Sequence, residues 1–292
     1  MLKLSKKLLY AGLAIFLFYP AHFALAAYKN STQGADVAAC VTTGANMMTN
    51  NGDCRTTPSK YEVGVFEMGV CTAHPFTSDG TKTDLESMDR STCTTTFLAT
   101  DQTNGSVVDI ADVIGGSIDL VGTSTRPSNG TYGFPYIILR EKFTVGITIA
   151  GNDGNTYYGL ANSNVDTTGP AADYDDNLRN FYGGSCYSGY VGATIPIGTI
   201  DAFLTNSSLQ RGDETTHYNA GTGSCTRVGK LVGVINLTTP FTIDQNTQSM
   251  QFNFVVTNYG INMGDNDNDG YPDDYGSGPF SGTFTLKTVP QQ

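Results

Sequence analysis

Five aspartates lie within the ten residues 265–274, and their spacing suits the coordination of a cation. The first three, Asp265, Asp267 and Asp269, alternate with asparagines, and Gly270 follows directly. In a calcium-binding loop, positions 1, 3 and 5 supply side-chain oxygens, position 6 is a glycine that permits a sharp turn, position 7 supplies a backbone carbonyl, and position 9 often acts through water. The spacing therefore predicts a Ca²⁺ site whose candidate ligands are Asp265, Asp267, Asp269, Tyr271, Asp273 and Asp274.

The pattern Asp-x-Asp-x-Asp-Gly-x-Pro-Asp-Asp in this stretch resembles the Asp-rich calcium loops of thrombospondin type-3 repeats and, less closely, those of dockerins and EF-hands. The resemblance covers about ten residues and implies calcium binding without implying a fold. It departs at position 12, where an EF-hand has a bidentate Glu and a type-3 repeat commonly has Asp, whereas this chain has Gly276. One ligand would then come from Asp274, from a distant residue or from water, with a dissociation constant on the order of 0.1 to 1 mM.

An ordinary acidic turn is the alternative interpretation, because Asp, Asn and Gly are all common in turns that hold no metal. Against it stands the repulsion among five carboxylates with no Lys or Arg in the neighbouring sequence. The stretch connects a strand expected to end near Ile261 to one expected to begin at Phe280. Long connections without regular structure are unusual in compact domains, so we expect Ca²⁺ to act here as a structural clip rather than as a sensor.

Motifs for enzymatic chemistry are not found elsewhere in the sequence. His74 and His217 are the histidines that follow residue 26, and neither lies in a metal or nucleophile motif. Residues 173–177 form a second acidic segment, but Leu178 stands where a calcium loop has glycine. We therefore expect no enzymatic activity, although a carboxylate pair of the glycosidase type stays open as an interpretation.

Residues 1–26 have the features of a secretory signal peptide. Three lysines precede an apolar run over residues 8–18, and Ala24-Leu25-Ala26 forms a small-x-small cleavage site before Ala27. The run is shorter than the roughly 20 apolar residues that span a bilayer, and no later segment approaches that length. We expect cleavage after residue 26 and secretion to the extracellular space, a cell surface or the periplasm, with no membrane insertion afterwards; an uncleaved anchor is the alternative.

The charge of the chain limits its partners. The formal net charge is −11, and loss of Lys3, Lys6 and Lys7 with the signal peptide makes it −14. An acidic surface repels phosphates and anionic lipids, which argues against nucleic acid and membrane surfaces as partners. The same surface attracts cations, which is consistent with calcium as a partner.

Six cysteines follow the cleavage site, and an even number in an exported chain predicts disulfides in an oxidising compartment. None lies in a Cys-x-x-Cys pair, which disfavours zinc and thioredoxin-like redox chemistry. Because short loops between adjacent hairpin arms need the least rearrangement, we expect nearest neighbours to pair, as Cys40–Cys54, Cys71–Cys93 and Cys186–Cys225. The alternative is that some of the cysteines are free and buried.

Period-two alternation of apolar and polar residues indicates strands. It is clearest over 143–149, where Asp153-Gly154 then supplies a tight hairpin turn before residues 156–160. The other expected strands are 61–70, 92–99, 107–114, 117–121, 191–203, 230–237, 241–243 paired with 250–256 as a hairpin, and 280–287. No stretch after residue 26 sustains helical periodicity. The pattern predicts an all-β fold, an antiparallel β-sandwich or jelly-roll-like domain with long loops.

The domain organisation follows from these segments. After the signal peptide, residues 27–60 are small, polar and turn-rich apart from Met47-Met48, and we expect an N-terminal arm clipped by the first two cysteines. It is open whether this arm serves as an edge strand for another subunit. Residues 61–292 then form the β-sandwich domain, with a possible split at 124–130, where Pro and Gly punctuate the chain.

These features together predict a secreted, calcium-stabilised structural or adhesive β-protein of a cell surface or extracellular fibre, which associates with itself or with a glycan or other cell-surface ligand. A carbohydrate-binding module is the alternative, since an exposed tyrosine can stack on a sugar ring while its hydroxyl donates a hydrogen bond. A secreted hydrolase is the third hypothesis. The tyrosines expected at turns and loops include Tyr157, Tyr158, Tyr174, Tyr271 and Tyr275.

Overall fold

The computed structural model describes residues 28–29, 39–41, 46–48, 53–76, 86–179, 181, 189–195, 197–211, 228–277 and 284–290. Apart from one 3-10 turn at Ala111–Val113, the regular structure in these residues consists of β-strands, so none of them belongs to a helix that could cross a bilayer. Every pairing between the strands is antiparallel. The predicted all-β, antiparallel fold is confirmed.

In chain order the strands are β1 (Tyr28–Lys29), β2 (Asp53–Thr56), β3 (Lys60–Cys71), β4 (Cys93–Ala99), β5 (Ser106–Asp109), β6 (Gly122–Ser124), β7 (Gly130–Tyr132), β8 (Phe134–Arg140), β9 (Lys142–Gly146), β10 (Thr148–Ala150), β11 (Thr156–Gly159), β12 (Val165–Asp166), β13 (Tyr174–Asn177), β14 (Tyr190–Ile195), β15 (Gly198–Thr205), β16 (Lys230–Leu237), β17 (Phe241–Ile243), β18 (Thr247–Phe254), β19 (Ile261–Gly264), β20 (Asp274–Ser277) and β21 (Phe284–Pro290). Eleven of them form one large sheet with the order β1-β14-β15-β16-β8-β3-β4-β6, to which β5, β9 and β13 attach. The smaller sheets are β10-β11-β12, β2-β19-β20, β7-β17 and β18-β21.

Strand β3 organises the large sheet. It is 12 residues long, and its first half pairs with β5 and β9 while its second half pairs with β4 and β8. The side chains of Tyr61, Val63 and Val65 alternate along it and are buried. This is the period-two pattern that the sequence shows, and it places one face of β3 in the core.

The β2-β19-β20 and β10-β11-β12 sheets lie over this face of the large sheet. Met263, Tyr157 and Tyr275 from the small sheets share one apolar cluster with Tyr61 and Val145 of the large sheet. Burying each large apolar side chain contributes about 1.5 to 3 kcal/mol. This shared cluster therefore holds the layers together and makes the fold sandwich-like.

Several predicted strands are confirmed. Residues 61–70, 92–99 and 230–237 correspond to β3, β4 and β16. The predicted hairpin at Asp153-Gly154 is also present: β10 pairs with β11 across it, and Gly154 has φ +88°, a conformation that glycine adopts without a steric penalty.

Three other predictions of strand arrangement are wrong. Residues 191–203 do not form one strand, because β14 and β15 fold back on each other as a hairpin. Strand β17 pairs with β7, and β18 pairs with β21, so 241–243 and 250–256 do not form a hairpin together. Of the expected strands 107–114 and 117–121, residues 107–109 belong to β5, whereas residues 110–121 contain the 3-10 turn and an irregular segment. In each case pairing with a distant strand or a local turn overrides a pattern that fits a strand.

Two of the three expected disulfides are confirmed, Cys40–Cys54 and Cys71–Cys93, whereas Cys186 and Cys225 lie outside the described residues. Two disulfides indicate an oxidising environment outside the cytosol. The first one lies within the expected N-terminal arm and joins Cys40 to β2, which pairs with β19. Met47 and Met48, which stood out in the polar arm, are buried in the main apolar cluster. This end of the arm is therefore part of the folded body rather than a peripheral extension.

The large sheet runs across residues 124–130, where the sequence allows a split. Strand β8 follows this segment and pairs with β3, which precedes it. Strand β6 lies just before the segment and pairs with β4. Elements from both sides of the segment are therefore hydrogen-bonded into one sheet.

Removing the Cys40–Cys54 bond by Cys40→Ala with Cys54→Ala should lower the free energy of unfolding by about 3 kcal/mol, because the bond closes a loop with a sequence separation of 14 residues. Urea unfolding followed by tyrosine fluorescence measures the change. The matched control is Cys71→Ala with Cys93→Ala, whose separation is 22 residues and whose loss should be similar or slightly larger. An unchanged unfolding midpoint in the first variant would show that the Cys40–Cys54 disulfide does not stabilise the fold.

Candidate metal centre

The acidic stretch forms the end of its own hairpin. Strand β19 pairs with β20, with Gly264 opposite Asp274, and residues 265–273 connect them. The sequence instead suggested a long connection from Ile261 to a strand beginning at Phe280, so β20 is an element that sequence reasoning missed. Its residues, Asp274 to Ser277, are polar or small except for Tyr275 and give little strand signal. The hairpin fixes both ends of the acidic loop.

Three of the six predicted ligands converge. One carboxylate oxygen from each of Asp265, Asp267 and Asp269 lies within 4.8 Å of the others. The backbone N–H of Asp269 donates to Asp265 Oδ1 and Asp267 Oδ1, both at 3.1 Å, and the N–H of Gly270 donates to Asp265 Oδ2 at 2.8 Å. Asn268 at φ +61° and Gly270 at φ +93° supply the left-handed turns that fold the three side chains onto one side of the loop. This arrangement can hold a hard cation through carboxylate oxygens.

The other predicted ligands have structural contacts. Asp273 Oδ2 accepts hydrogen bonds from the backbone N–H groups of Asn266 and Asp267 at 2.7 and 3.2 Å. Asp274 Oδ2 accepts one from Asn266 Nδ2 at 2.9 Å. Tyr271 donates its N–H to Asp269 Oδ1 at 2.8 Å, and its ring stacks on that of Tyr157 with centroids 5.7 Å apart. These three residues shape the loop around the converging carboxylates.

The acidic loop holds uncompensated negative charge. Although the N–H of Asp269 stabilises ionised Asp267, desolvation and repulsion from Asp269, Asp273 and Asp265 together raise the pKa of Asp267 above its ordinary value. Within the described ranges, none of the ion pairs between side chains includes a carboxylate of this loop. A cation would relieve this repulsion.

Asp53 adds a further carboxylate that sequence reasoning missed. It lies on β2 directly opposite Gly264, so it flanks the start of the loop from the other side of β19. Burial, followed by repulsion from Asp274, raises the pKa of Asp53. Local spacing gives no sign of this residue, because it lies more than 200 positions earlier in the chain and reaches the loop only through strand pairing.

The loop rests on the buried end of the N-terminal arm. The carbonyl of Gly270 accepts hydrogen bonds from the N–H groups of Met47 and Met48 at 3.0 and 3.2 Å. A Cβ atom on Gly270 would lie 2.6 Å from Cγ of Asn46, so the arm and the loop are in close contact here. The loop is thus tied to the core rather than extended into solvent.

The second acidic segment, 173–177, has a different role. It contains the whole of β13, which pairs with β9. Asp175 accepts hydrogen bonds from Lys142 Nζ and Thr144 Oγ1, both at 2.7 Å, and these contacts lower the pKa of Asp175. Asp176 Oδ2 accepts from Ser277, and Asp173 forms an ion pair with Lys60 at 3.1 Å. These carboxylates are spread along a strand and engage the sheet.

A histidine, a carboxylate and a tyrosine also meet in the large sheet. His74 Nε2 lies 3.4 Å from Asp201 Oδ2, and the hydroxyl of Tyr190 donates to Asp201 Oδ1 at 2.7 Å. The His74 ring packs edge-on against Phe134 and Phe203. The sequence did not predict this group, because its members come from distant segments. His217 lies outside the part of the chain that the structure describes.

Comparisons with protein families, with curated proteins and with solved structures found no match to this chain.

The contact between the loop and the arm can be measured with a pair of glycine variants. Gly270 and Gly154 both have positive φ in hairpin turns, but a Cβ at Gly154 would meet nothing within 4 Å. Gly154→Ala should therefore cost only the backbone strain, about 1 to 2 kcal/mol. Gly270→Ala should cost about 1 to 3 kcal/mol more in thermal or urea unfolding, since it also displaces Asn46. Equal losses in the two variants would show that the loop does not depend on this contact.

Proposed function

We propose that this protein is a secreted structural or adhesive β-protein whose 265–274 loop binds Ca²⁺. The observation that carries the proposal is the convergence of Asp265, Asp267 and Asp269 at the end of a hairpin, in the Asp-x-Asp-x-Asp-Gly spacing of calcium loops. Oxygen ligands of this kind suit Ca²⁺ better than softer transition metals. Their exposure favours the modest affinity of an extracellular calcium module.

The surroundings of the loop favour a structural role for the ion. A calcium sensor needs elements that can move apart when the ion leaves, whereas this loop closes a two-stranded turn and is bonded to buried residues of the arm. Neutralising its carboxylates would therefore act mainly on stability. The ion would hold together two parts of the chain that are distant in sequence: the arm, which includes β2, and the β19-β20 hairpin.

Secretion is supported by the N-terminal sequence and by the disulfides. Residues 1–26 have the basic start, the apolar run and the Ala-x-Ala end of a signal peptide. The two disulfides require an oxidising compartment, and millimolar calcium is found in the same extracellular surroundings.

The structural or adhesive role is supported by the edge of the large sheet. Strand β1 begins one residue after the expected cleavage site and pairs with β14, with Tyr28 opposite Ala193 and Lys29 opposite Gly192. An edge strand presents its backbone groups to any extended chain. The short β1 can therefore be displaced from β14 by the same segment of another copy. The glycan alternative has less support, because Tyr157 and Tyr275, two of its candidate tyrosines, are buried in the core.

Calcium at about ten times its dissociation constant should raise the free energy of unfolding by about 1.4 kcal/mol, and EDTA should lower the melting temperature by roughly 2 to 4 °C. Asp267→Asn should remove most of this response, because it deletes one of the three converging charges while keeping a side-chain oxygen for the N–H of Asp269. Differential scanning fluorimetry and calorimetric titration with CaCl₂ measure the two effects.

The control for this experiment is Asp101→Asn. Asp101 also accepts hydrogen bonds from backbone N–H groups in a turn, those of Thr103 and Asn104, but it is not part of the acidic cluster. Its variant should keep the full calcium response. If EDTA leaves the melting curve of the wild-type protein unchanged, the calcium proposal fails.

Deletion of residues 27–38 tests the assembly role, since it removes β1 but keeps Cys40, Met47 and Met48. We expect the mature protein to form oligomers or fibres, and the truncated protein to remain monomeric with a melting temperature close to that of the full mature chain. Sedimentation velocity and negative-stain imaging distinguish these states. Assembly that is unchanged by the deletion, or a mature protein that stays monomeric at all concentrations, would contradict this role.

A further inference from the structure

A cavity of about 1500 Å³ lies between the large sheet and strand β18. Its floor is the face of the sheet that carries Val65, Ile137 and Leu231. Met250, Phe252 and Phe254 of β18 line the opposite side, where the more exposed Gln251 and Asn253 also border the cavity. Apolar side chains of the sheet therefore lie across the cavity from those of β18.

The cavity is partly open to solvent and is large enough to hold a small molecule. Pockets for small molecules commonly measure about 300 to 1000 Å³. The lining also contains polar residues, among them Asp119, Thr125 and Gln248, but its aliphatic and aromatic part is extensive enough to suit an elongated apolar chain.

One side of the cavity is polar and carries a cation. Arg126 lies in its lining, and its guanidinium donates to the carbonyl of Pro127 at 3.0 Å, to Asn129 Oδ1 at 2.8 Å and to the carbonyl of Asp244 at 2.5 Å. All three acceptors are uncharged, and among the described residues Arg126 has no carboxylate within ion-pair distance. These contacts fix the guanidinium in place without neutralising it, which leaves it able to bind an anion.

The segment beside Arg126 supplies an apolar entrance. Ile114 and Ile118 line the cavity and are 46% and 43% exposed, which is unusual for large apolar side chains. Gly115, with φ +80°, lies between them in a segment without regular structure after the 3-10 turn. An acyl chain could enter past these side chains from solvent.

We propose that this cavity binds a long-chain fatty acid, with the acyl chain between the sheet and β18 and the carboxylate at Arg126. Burial of the acyl chain supplies the affinity, and the charged hydrogen bond selects an acid over a neutral lipid. Binding at this site does not depend on the calcium site.

The test measures displacement of a fluorescent fatty acid by palmitate and by 1-hexadecanol, which has the same chain without the charge. Gly233 lies on the cavity floor, and a Cβ there would be 3.4 Å from Ile137, an ordinary contact. Gly233→Ala should therefore bind palmitate within about twofold of the wild-type protein. Gly233→Phe should weaken both lipids at least about tenfold, because the ring would occupy the space of the chain.

Arg126→Gln is the second variant and leaves the apolar floor untouched. It should weaken palmitate about tenfold while leaving 1-hexadecanol nearly unchanged, because only the acid uses the guanidinium. Melting curves of every variant establish that it is folded, and Arg126→Gln keeps the test decisive if Gly233→Phe does not fold. Absence of palmitate binding to the wild-type protein would overturn the proposal, as would equal losses for acid and alcohol in Arg126→Gln. A dimer that Gly233→Phe disrupts, with no lipid bound, would assign the cavity to a second copy instead and would also overturn it.

Discussion

Met47 and Met48 each donate a backbone hydrogen bond to the carbonyl of Gly270. These bonds join the buried part of the arm to the acidic loop, and the rest of the structure depends on this contact. On one side are side chains buried in the main core and, through Cys40–Cys54, strand β2. On the other is a turn that carries concentrated negative charge. Because the contact is made by backbone groups at a glycine with positive φ, it has little tolerance for change. The acidic loop is therefore positioned by the core.

This positioning explains why carboxylates that repel one another can be held within 4.8 Å. Backbone N–H groups of Asp269 and Gly270 donate hydrogen bonds to the carboxylates from inside the turn, so the loop itself offsets part of the electrostatic repulsion. The remaining repulsion is what a divalent ion would relieve. In the second acidic segment, by contrast, Lys60 pairs with Asp173 and Lys142 with Asp175, and the same residue type becomes part of a sheet. Local partners, more than composition, decide the role of an aspartate.

Sequence patterns predict the local features of this protein well and the long-range ones poorly. Alternation along β3, the Asp153-Gly154 turn and the two disulfides between neighbouring cysteines all depend on residues close in the chain. The convergence of Asp265, Asp267 and Asp269 likewise follows from local spacing. Strand β20, the approach of Asp53, and the pairing of β18 with β21 instead depend on partners chosen by tertiary packing. A short polar strand such as β20 has no sequence pattern that predicts its pairing partner.

The chain order links the acidic loop to the cavity. Strand β18, which forms one wall of the cavity, pairs with β21, and the two strands are separated in sequence by the whole β19-loop-β20 hairpin. The position where β18 ends is set by the turn at Val256 to Gly260, after which β19 enters the core at Ile261. Clamping the β19-β20 hairpin therefore constrains one end of the chain that forms this wall. A long insertion between two paired strands is costly in loop entropy, and a fixed hairpin within it reduces that cost. The disulfide-tied arm, the acidic turn and the cavity wall are in this way parts of one continuous arrangement.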